Sequence, residues 1–76
     1  MKETLLQLLN ETRPDIDFEH EKKLIDESIL DSFDIIRIVM DINEAFEIEI
    51  QVEDLLPENF NSIEGMMELI AKLQDE

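Results

Sequence analysis

The segment from Ile29 to Asp34 contains the serine whose position is best suited to chemistry. Asp31 is a favoured N-cap residue, and Asp34 adds negative charge in the first helical turn, where the helix dipole favours it. Ser32 then becomes the first residue of a predicted helix, with its hydroxyl near backbone N–H groups that lack an intrahelical partner. Such a helix end readily accepts a phosphate group. The pattern therefore predicts either a simple helix cap or a helix end that accepts a phosphate group near Ser32.

The rest of the sequence offers Ser32 no catalytic partner. A nucleophilic serine needs an adjacent base, and the one histidine, His20, lies in a charged segment between two glutamates. Asp15 to Asp26 has the alternating oxygens of a calcium loop, but its glycine position holds His20, so we predict no EF-hand metal site. We expect no enzymatic activity, and a modification of Ser32 would have to be made by another enzyme.

The predicted helix that begins at Ser32 carries two rows of apolar side chains. At about 100° per residue, one narrow stripe should face the core: Ile35, Ile38, Val39, Ile42 and Phe46. A second row points away from that stripe and is surrounded by charged residues, which argues against burial on all sides. We predict that this second row and its neighbouring acids form a docking surface for partner proteins: Phe33, Asp34, Ile36, Met40, Asp41 and Glu44.

These residues resemble the modification site of acyl carrier proteins. The likeness rests on Leu30-Asp31-Ser32-Phe33 followed by the helix from Ile35 to Met40, and it runs over nearly the whole chain. It implies that Ser32 carries 4'-phosphopantetheine through a phosphodiester, with Asp31 and Asp34 orienting the helix end and engaging the modifying enzyme. The stretch Pro57 to Phe60 is more similar to stand-alone aminoacyl, D-alanyl and peptidyl carriers than to the commonest fatty-acid carriers.

Three positions depart from the family pattern. Phe33 replaces the usual Leu or Met, Arg37 stands where an acid is common, and Ser28-Ile29 covers positions where one glycine is usual. None of these changes removes the serine, but Arg37 places a reversed charge in the predicted docking surface. It therefore bears on which partners the protein accepts.

Length and charge narrow the class of protein further. Seventy-six residues make a single domain, residues 1–76, and the chain contains no cysteine. A net charge of −15 argues against nucleic acid and anionic membranes as partners and favours proteins with basic patches. No apolar run approaches the roughly 20 residues of a membrane span. We expect a cytoplasmic monomer.

The periodicity of the chain predicts an all-α domain. Residues 1–12 should form a helix with the stripe Met1, Leu5, Leu8 and Leu9, ended by Arg13-Pro14. A long connection, residues 13–31, should be pinned to the core by Ile16, Phe18, Leu24, Ile25, Ile29 and Leu30, with a short helical turn over residues 21–25.

The second helix should span residues 32–47, followed by an extended link and one or two helical turns around Pro57. Ser62 should cap the last helix, which runs to about Leu73 with the stripe Ile63, Met66, Met67, Ile70 and Leu73. With the resemblance, this implies a four-helix bundle of the acyl-carrier type, with three main helices, one short helix and a long first loop.

Two classes of function follow. The first is an acyl carrier that holds acyl intermediates as thioesters on the phosphopantetheine arm and delivers them to enzymes of fatty-acid or related biosynthesis. Its expected partners are a phosphopantetheinyl transferase and acyl- or aminoacyl-loading enzymes, and the alternative cargo is an amino acid, D-alanine or a peptide. The second class is an unmodified acidic helical adaptor that uses the same apolar row.

Overall fold

The computed structural model describes residues 1–75, and within them the chain forms four α-helices and no strand. The helices are α1 (Lys2–Thr12), α2 (Ser32–Phe46), α3 (Pro57–Phe60) and α4 (Ile63–Gln74), and a 3-10 turn spans Val52–Asp54. This confirms the predicted fold class of three main helices and one short helix with a long first loop. None of these helices is long and apolar enough to cross a membrane.

The core lies where α1 packs against α2 and α4, and α3 closes it by packing on α4. Ile38 and Ile42 are fully buried, while the other members of the predicted α2 stripe are only half-buried against them. In α4 the buried set includes Leu69, which the predicted stripe omitted. The buried side chains of the core are Leu5, Leu8, Leu9, Ile16, Phe18, Leu24, Leu30, Ile38, Ile42, Ile50, Phe60, Ile63, Met66, Leu69 and Ile70.

The long loop between α1 and α2 is held to the core as predicted. Its six apolar side chains are buried or half-buried, with Phe18 and Leu24 almost fully enclosed. The helical turn predicted at residues 21–25 is wrong, because the backbone N–H groups of Leu24 and Ile25 bind Asn61 instead of carbonyls four residues earlier. The chain makes a turn over residues 24–28 instead.

The predicted ends of the three main helices agree with the structure to within one residue. One residue that was predicted to be buried, Met1, is exposed. Met1 precedes α1 as its N-cap residue and is 48% exposed, so its predicted place in the buried stripe is wrong. Met1 lies before the first helical residue, so it does not continue the buried face of Leu5, Leu8 and Leu9. The second helix ends at Phe46, one residue early, because Glu47 adopts a left-handed conformation with φ 54°.

Gly65 sets the distance between α3 and α4. Ser62 caps α4 as predicted, and its Oγ accepts a hydrogen bond from the Gly65 N–H at 3.1 Å. A Cβ at Gly65 would lie 2.7 Å from the Glu58 carbonyl oxygen, so only glycine permits this close approach. The short helix α3 is thereby fixed against the start of α4.

Candidate functional site

Ser32 is the first residue of α2 and is exposed to solvent. The helix end is built by a reciprocal pair of hydrogen bonds. Asp31 Oδ1 accepts from the Asp34 N–H at 2.9 Å, and Asp34 Oδ2 accepts from the Asp31 N–H at 3.3 Å. The predicted helix start is therefore confirmed, and the serine hydroxyl lies at an ordered helix N-terminus that solvent can reach.

Arg13 joins this helix end to the end of α1. Its Nη1 lies 2.5 Å from Asp34 Oδ2, while Nε and Nη2 each donate to Asp15 at 3.0 Å. These hydrogen bonds raise the pKa of Arg13 and lower that of Asp15, with the Asp15 bond the larger cause for Arg13. The guanidinium thus offsets the charge of Asp34, beside Ser32. This pair could not be predicted from local spacing, because Arg13 and Asp34 lie 21 residues apart.

The second apolar row of α2 lies on the surface. Phe33 is 83% exposed, Ile36 57% and Met40 65%, so these large side chains are not part of the core. Together with Arg37 and Asp41 they line a shallow, mostly apolar groove. Phe33 is too exposed to fold back over the long loop.

The charged residues expected in the docking surface differ in solvent exposure and in their hydrogen-bond and ion-pair partners. Asp34 is half-buried and paired with Arg13, and Asp41 is half-buried and accepts a hydrogen bond from the Thr12 hydroxyl at 3.3 Å. Glu44 is exposed. Arg37 is also exposed and has no ion-pair partner within residues 1–75.

The one histidine of the sequence is hydrogen-bonded to an aspartate and not to Ser32. His20 is exposed and its Nδ1 lies 2.8 Å from Asp17 Oδ2, a hydrogen bond that lowers the pKa of Asp17. Across residues 1–75, no side chain makes a hydrogen bond to Ser32, and no group of three or more potential ligands is arranged to hold a metal ion. In this part of the chain the site presents an exposed hydroxyl at a helix N-terminus.

A second concave region lies elsewhere and does not include Ser32. It is an open cavity of about 670 Å³ lined mainly by polar residues, among them four acids and Lys72. The acids are Glu49, Glu53, Asp54 and Glu58. Nothing in this cavity connects it to the serine.

Comparison with protein families identified a match that covers most of the chain. The family model described as the phosphopantetheine attachment site matches residues 1–70, which include all of α1, α2 and α3 and most of α4. Neither the curated proteins nor the solved structures contained a significant match to the chain. Proteins of the matching family carry covalently attached 4'-phosphopantetheine.

Proposed function

The chain belongs to the phosphopantetheine attachment site family, and on this premise we propose that it is an acyl carrier protein with the arm attached to Ser32. The domain of this family is a carrier and not a catalyst. The observation that carries the assignment of Ser32 is its exposed position at the first residue of α2. The arm would supply the thiol that holds an acyl group as a thioester, a group that this cysteine-free chain lacks.

The residues around Ser32 suit a phosphodiester. The first N–H groups of a helix have no intrahelical partner, and Asp31 satisfies only the N–H of Asp34. The N–H groups of Ser32 and Phe33 remain to face a phosphate oxygen, which the helix dipole also favours. Because Arg13 offsets the charge of Asp34, a phosphate at Ser32 would meet one nearby acid, Asp31, instead of two.

The docking surface belongs to the same proposal. The exposed row of Phe33, Ile36 and Met40 gives a partner apolar anchors next to the modified serine, and buried anchors of this kind carry much of the energy of an interface. Glu44 and the net charge of −15 favour partners with basic patches, such as a phosphopantetheinyl transferase and the enzymes that load and use the carrier. Arg37 must meet an acceptor when this groove is covered, since an unpaired buried charge is costly.

An amino acid is the alternative cargo. The stretch that carries the likeness to aminoacyl and D-alanyl carriers forms the short helix Pro57–Phe60. Arg37 in the docking surface bears on which partners the protein accepts. Two loading assays on the phosphopantetheinylated protein separate the cargos. One supplies an acyl-coenzyme A and an acyltransferase, and the other supplies amino acids, ATP and an adenylating ligase, with intact mass as the readout. A monomeric state and a cytoplasmic location are also part of the proposal, and size-exclusion chromatography tests the former.

The proposal is tested by modification. With coenzyme A and a promiscuous phosphopantetheinyl transferase, the protein should gain the mass of one phosphopantetheinyl group, and Ser32→Ala should gain none. Thr4→Ala is the control, because Thr4 is also an exposed hydroxyl-bearing residue but lies in α1, outside the turn that precedes Ser32. It should be modified like the unsubstituted protein. No mass gain with several transferases, or a gain that persists in Ser32→Ala, would reject Ser32 as the attachment point and favour the adaptor hypothesis.

A further inference from the structure

One residue of the C-terminal part of the chain, Asn61, is hydrogen-bonded to the turn that precedes Ser32. Asn61 lies between α3 and α4, yet it binds three consecutive backbone N–H groups of the long loop. The backbone carbonyl oxygen of Asn61 accepts a hydrogen bond from the Leu24 N–H at 3.0 Å. The side-chain Oδ1 accepts from the N–H groups of Ile25 at 2.9 Å and of Asp26 at 3.0 Å. Its Nδ2 donates to Asp26 Oδ2 at 3.2 Å. Every polar group of the Asn61 side chain is thus engaged with this loop.

A second set of hydrogen bonds carries this constraint to the serine. The Leu24 carbonyl oxygen accepts from the N–H of Ile29 at 2.9 Å and of Leu30 at 3.0 Å. Leu30 is buried, and the next residue is Asp31, the N-cap of α2. The path from Asn61 to Ser32 therefore consists of two layers of hydrogen bonds and two buried leucines, Leu24 and Leu30.

We infer that Asn61 is a positioning residue for the phosphopantetheine attachment site: it fixes the turn at residues 24–30 and thereby the entry of the chain into α2 at Ser32. This inference rests on the proposed modification of Ser32. Truncation of Asn61 to alanine keeps the backbone bond to the Leu24 N–H and removes the side-chain bonds to Ile25 and Asp26, which hold the next two residues of the turn. Ile25 is half-buried and Asp26 is exposed, so water can replace the lost bonds. The global stability should then change little, while the order of the turn should be lost. Misplacement of a reacting group by about 1 Å can cost up to roughly 10²-fold in rate.

The test compares Asn61→Ala with Asn43→Ala. Asn43 is a matched control because its Oδ1 also accepts a hydrogen bond from a backbone N–H, that of Ile50, at 2.9 Å. This bond holds the link after α2 and not the turn before α2. For each variant, hydrogen exchange of the Ile29 and Leu30 amides is measured by NMR. The kcat and KM of modification by a phosphopantetheinyl transferase with coenzyme A are measured on the same preparations.

We expect Asn61→Ala to lose protection at Ile29 and Leu30 and to lower kcat/KM for modification by about tenfold. Asn43→Ala should leave both quantities within about twofold of the unsubstituted protein. Neither Ile29 nor Leu30 bonds to Asn61 directly, so their exchange reports the order of the turn rather than the loss of one acceptor.

A swap of donor and acceptor provides the rescue. Asn61→Asp keeps an acceptor for the two N–H groups but sets a carboxylate against Asp26. Adding Asp26→Asn restores an amide donor opposite that carboxylate, so the double variant should regain protection and kcat/KM to within about twofold.

The outcomes separate this inference from the proposed function. No modification of the unsubstituted protein would reject the proposed function, and the inference with it. Modification that proceeds equally well in Asn61→Ala would reject the positioning role alone, whether or not protection is lost. Equal losses in Asn61→Ala and Asn43→Ala, without rescue by the swap, would show that Asn61 supports the fold in general and would also overturn the inference.

Discussion

Ser28 adopts a backbone conformation that serine rarely takes. Its φ is 56°, and its N–H donates to the Ile25 carbonyl oxygen at 3.0 Å, which closes the turn before Ser32. The left-handed region is unfavourable for residues with a Cβ by roughly 1–2 kcal/mol, whereas glycine enters it freely. Ser28 and Ile29 cover the positions where the resemblance to acyl carrier proteins implies one glycine, and Ser28 takes up the backbone conformation that glycine favours, at some cost in strain.

Ser28→Gly should therefore stabilise the protein, by about 0.5–1 kcal/mol after the added entropy of the unfolded chain is subtracted. The free energy of unfolding from urea denaturation measures the change. Glu27→Gly is the control, because Glu27 is also exposed and only Ser28 and Glu47 have positive φ among the non-glycine residues 1–75. Glu27→Gly should destabilise slightly, and the same sign for both variants would contradict the strain at Ser28.

At the scale of the element, the two apolar rows of α2 have different roles. One row packs into the core, and the other forms part of the proposed docking surface. Ile42 is 1% exposed and faces α1 and the core, while Met40 is 65% exposed and lines the groove beside Arg37. The two residues lie two positions apart in the same helix and have similar volumes. They therefore form a matched pair for testing which row maintains the fold.

Ile42→Ala should lower the free energy of unfolding by roughly 2–5 kcal/mol, because it leaves a cavity in the core. Met40→Ala should cost less than about 1 kcal/mol, since surface changes are usually mild. The order should reverse in the KM of the transferase or of a loading enzyme, where the exposed anchor should matter more. If Met40→Ala unfolds the protein as readily as Ile42→Ala, then the second row belongs to the core and the proposed docking surface is wrong.

Features set by residues close in sequence were predictable. Residue spacing correctly predicted the cap at Asp31, the start of α2 at Ser32 and the two apolar rows of α2. These features depend on contacts between residues that lie within a few helical turns of one another. The pairs Arg13–Asp34 and Asn61–Asp26 join residues 21 and 35 positions apart, and no local pattern encodes such contacts. For the same reason Asp34 was expected only at the helix end and in the docking surface, although it also forms an ion pair with Arg13.

The whole molecule concentrates negative charge on a small surface. It measures 32 × 24 × 20 Å, and its net charge is −15. Apart from the half-buried pair of Arg13 and Asp34, the ion pairs of the described residues lie largely at the surface. One of them joins Lys22 Nζ to Glu64 Oε1 at 2.7 Å and lowers the pKa of Glu64. Exposed pairs of this kind contribute little, so mutual repulsion of the remaining acids should weaken the compact state.

We therefore expect the melting temperature to rise with sodium chloride, which screens the repulsion over distances beyond about 10 Å at 0.1 M. It should rise further with low millimolar Mg²⁺ or Ca²⁺, because one divalent ion can face two neighbouring carboxylates. Thermal unfolding followed by circular dichroism measures both effects.

A charge-reduced variant provides the control for this salt effect. Glu49→Gln, Glu53→Gln and Glu58→Gln, combined, remove three exposed carboxylates that line one cavity and change the net charge from −15 to −12. This variant should melt at a higher temperature at low salt than the unsubstituted protein, and it should respond less to sodium chloride and to Mg²⁺. Because the three side chains are exposed, the substitutions leave the packing of the core unchanged. A melting temperature that is indifferent to salt in the unsubstituted protein and unchanged in the variant would show that the acids do not oppose folding.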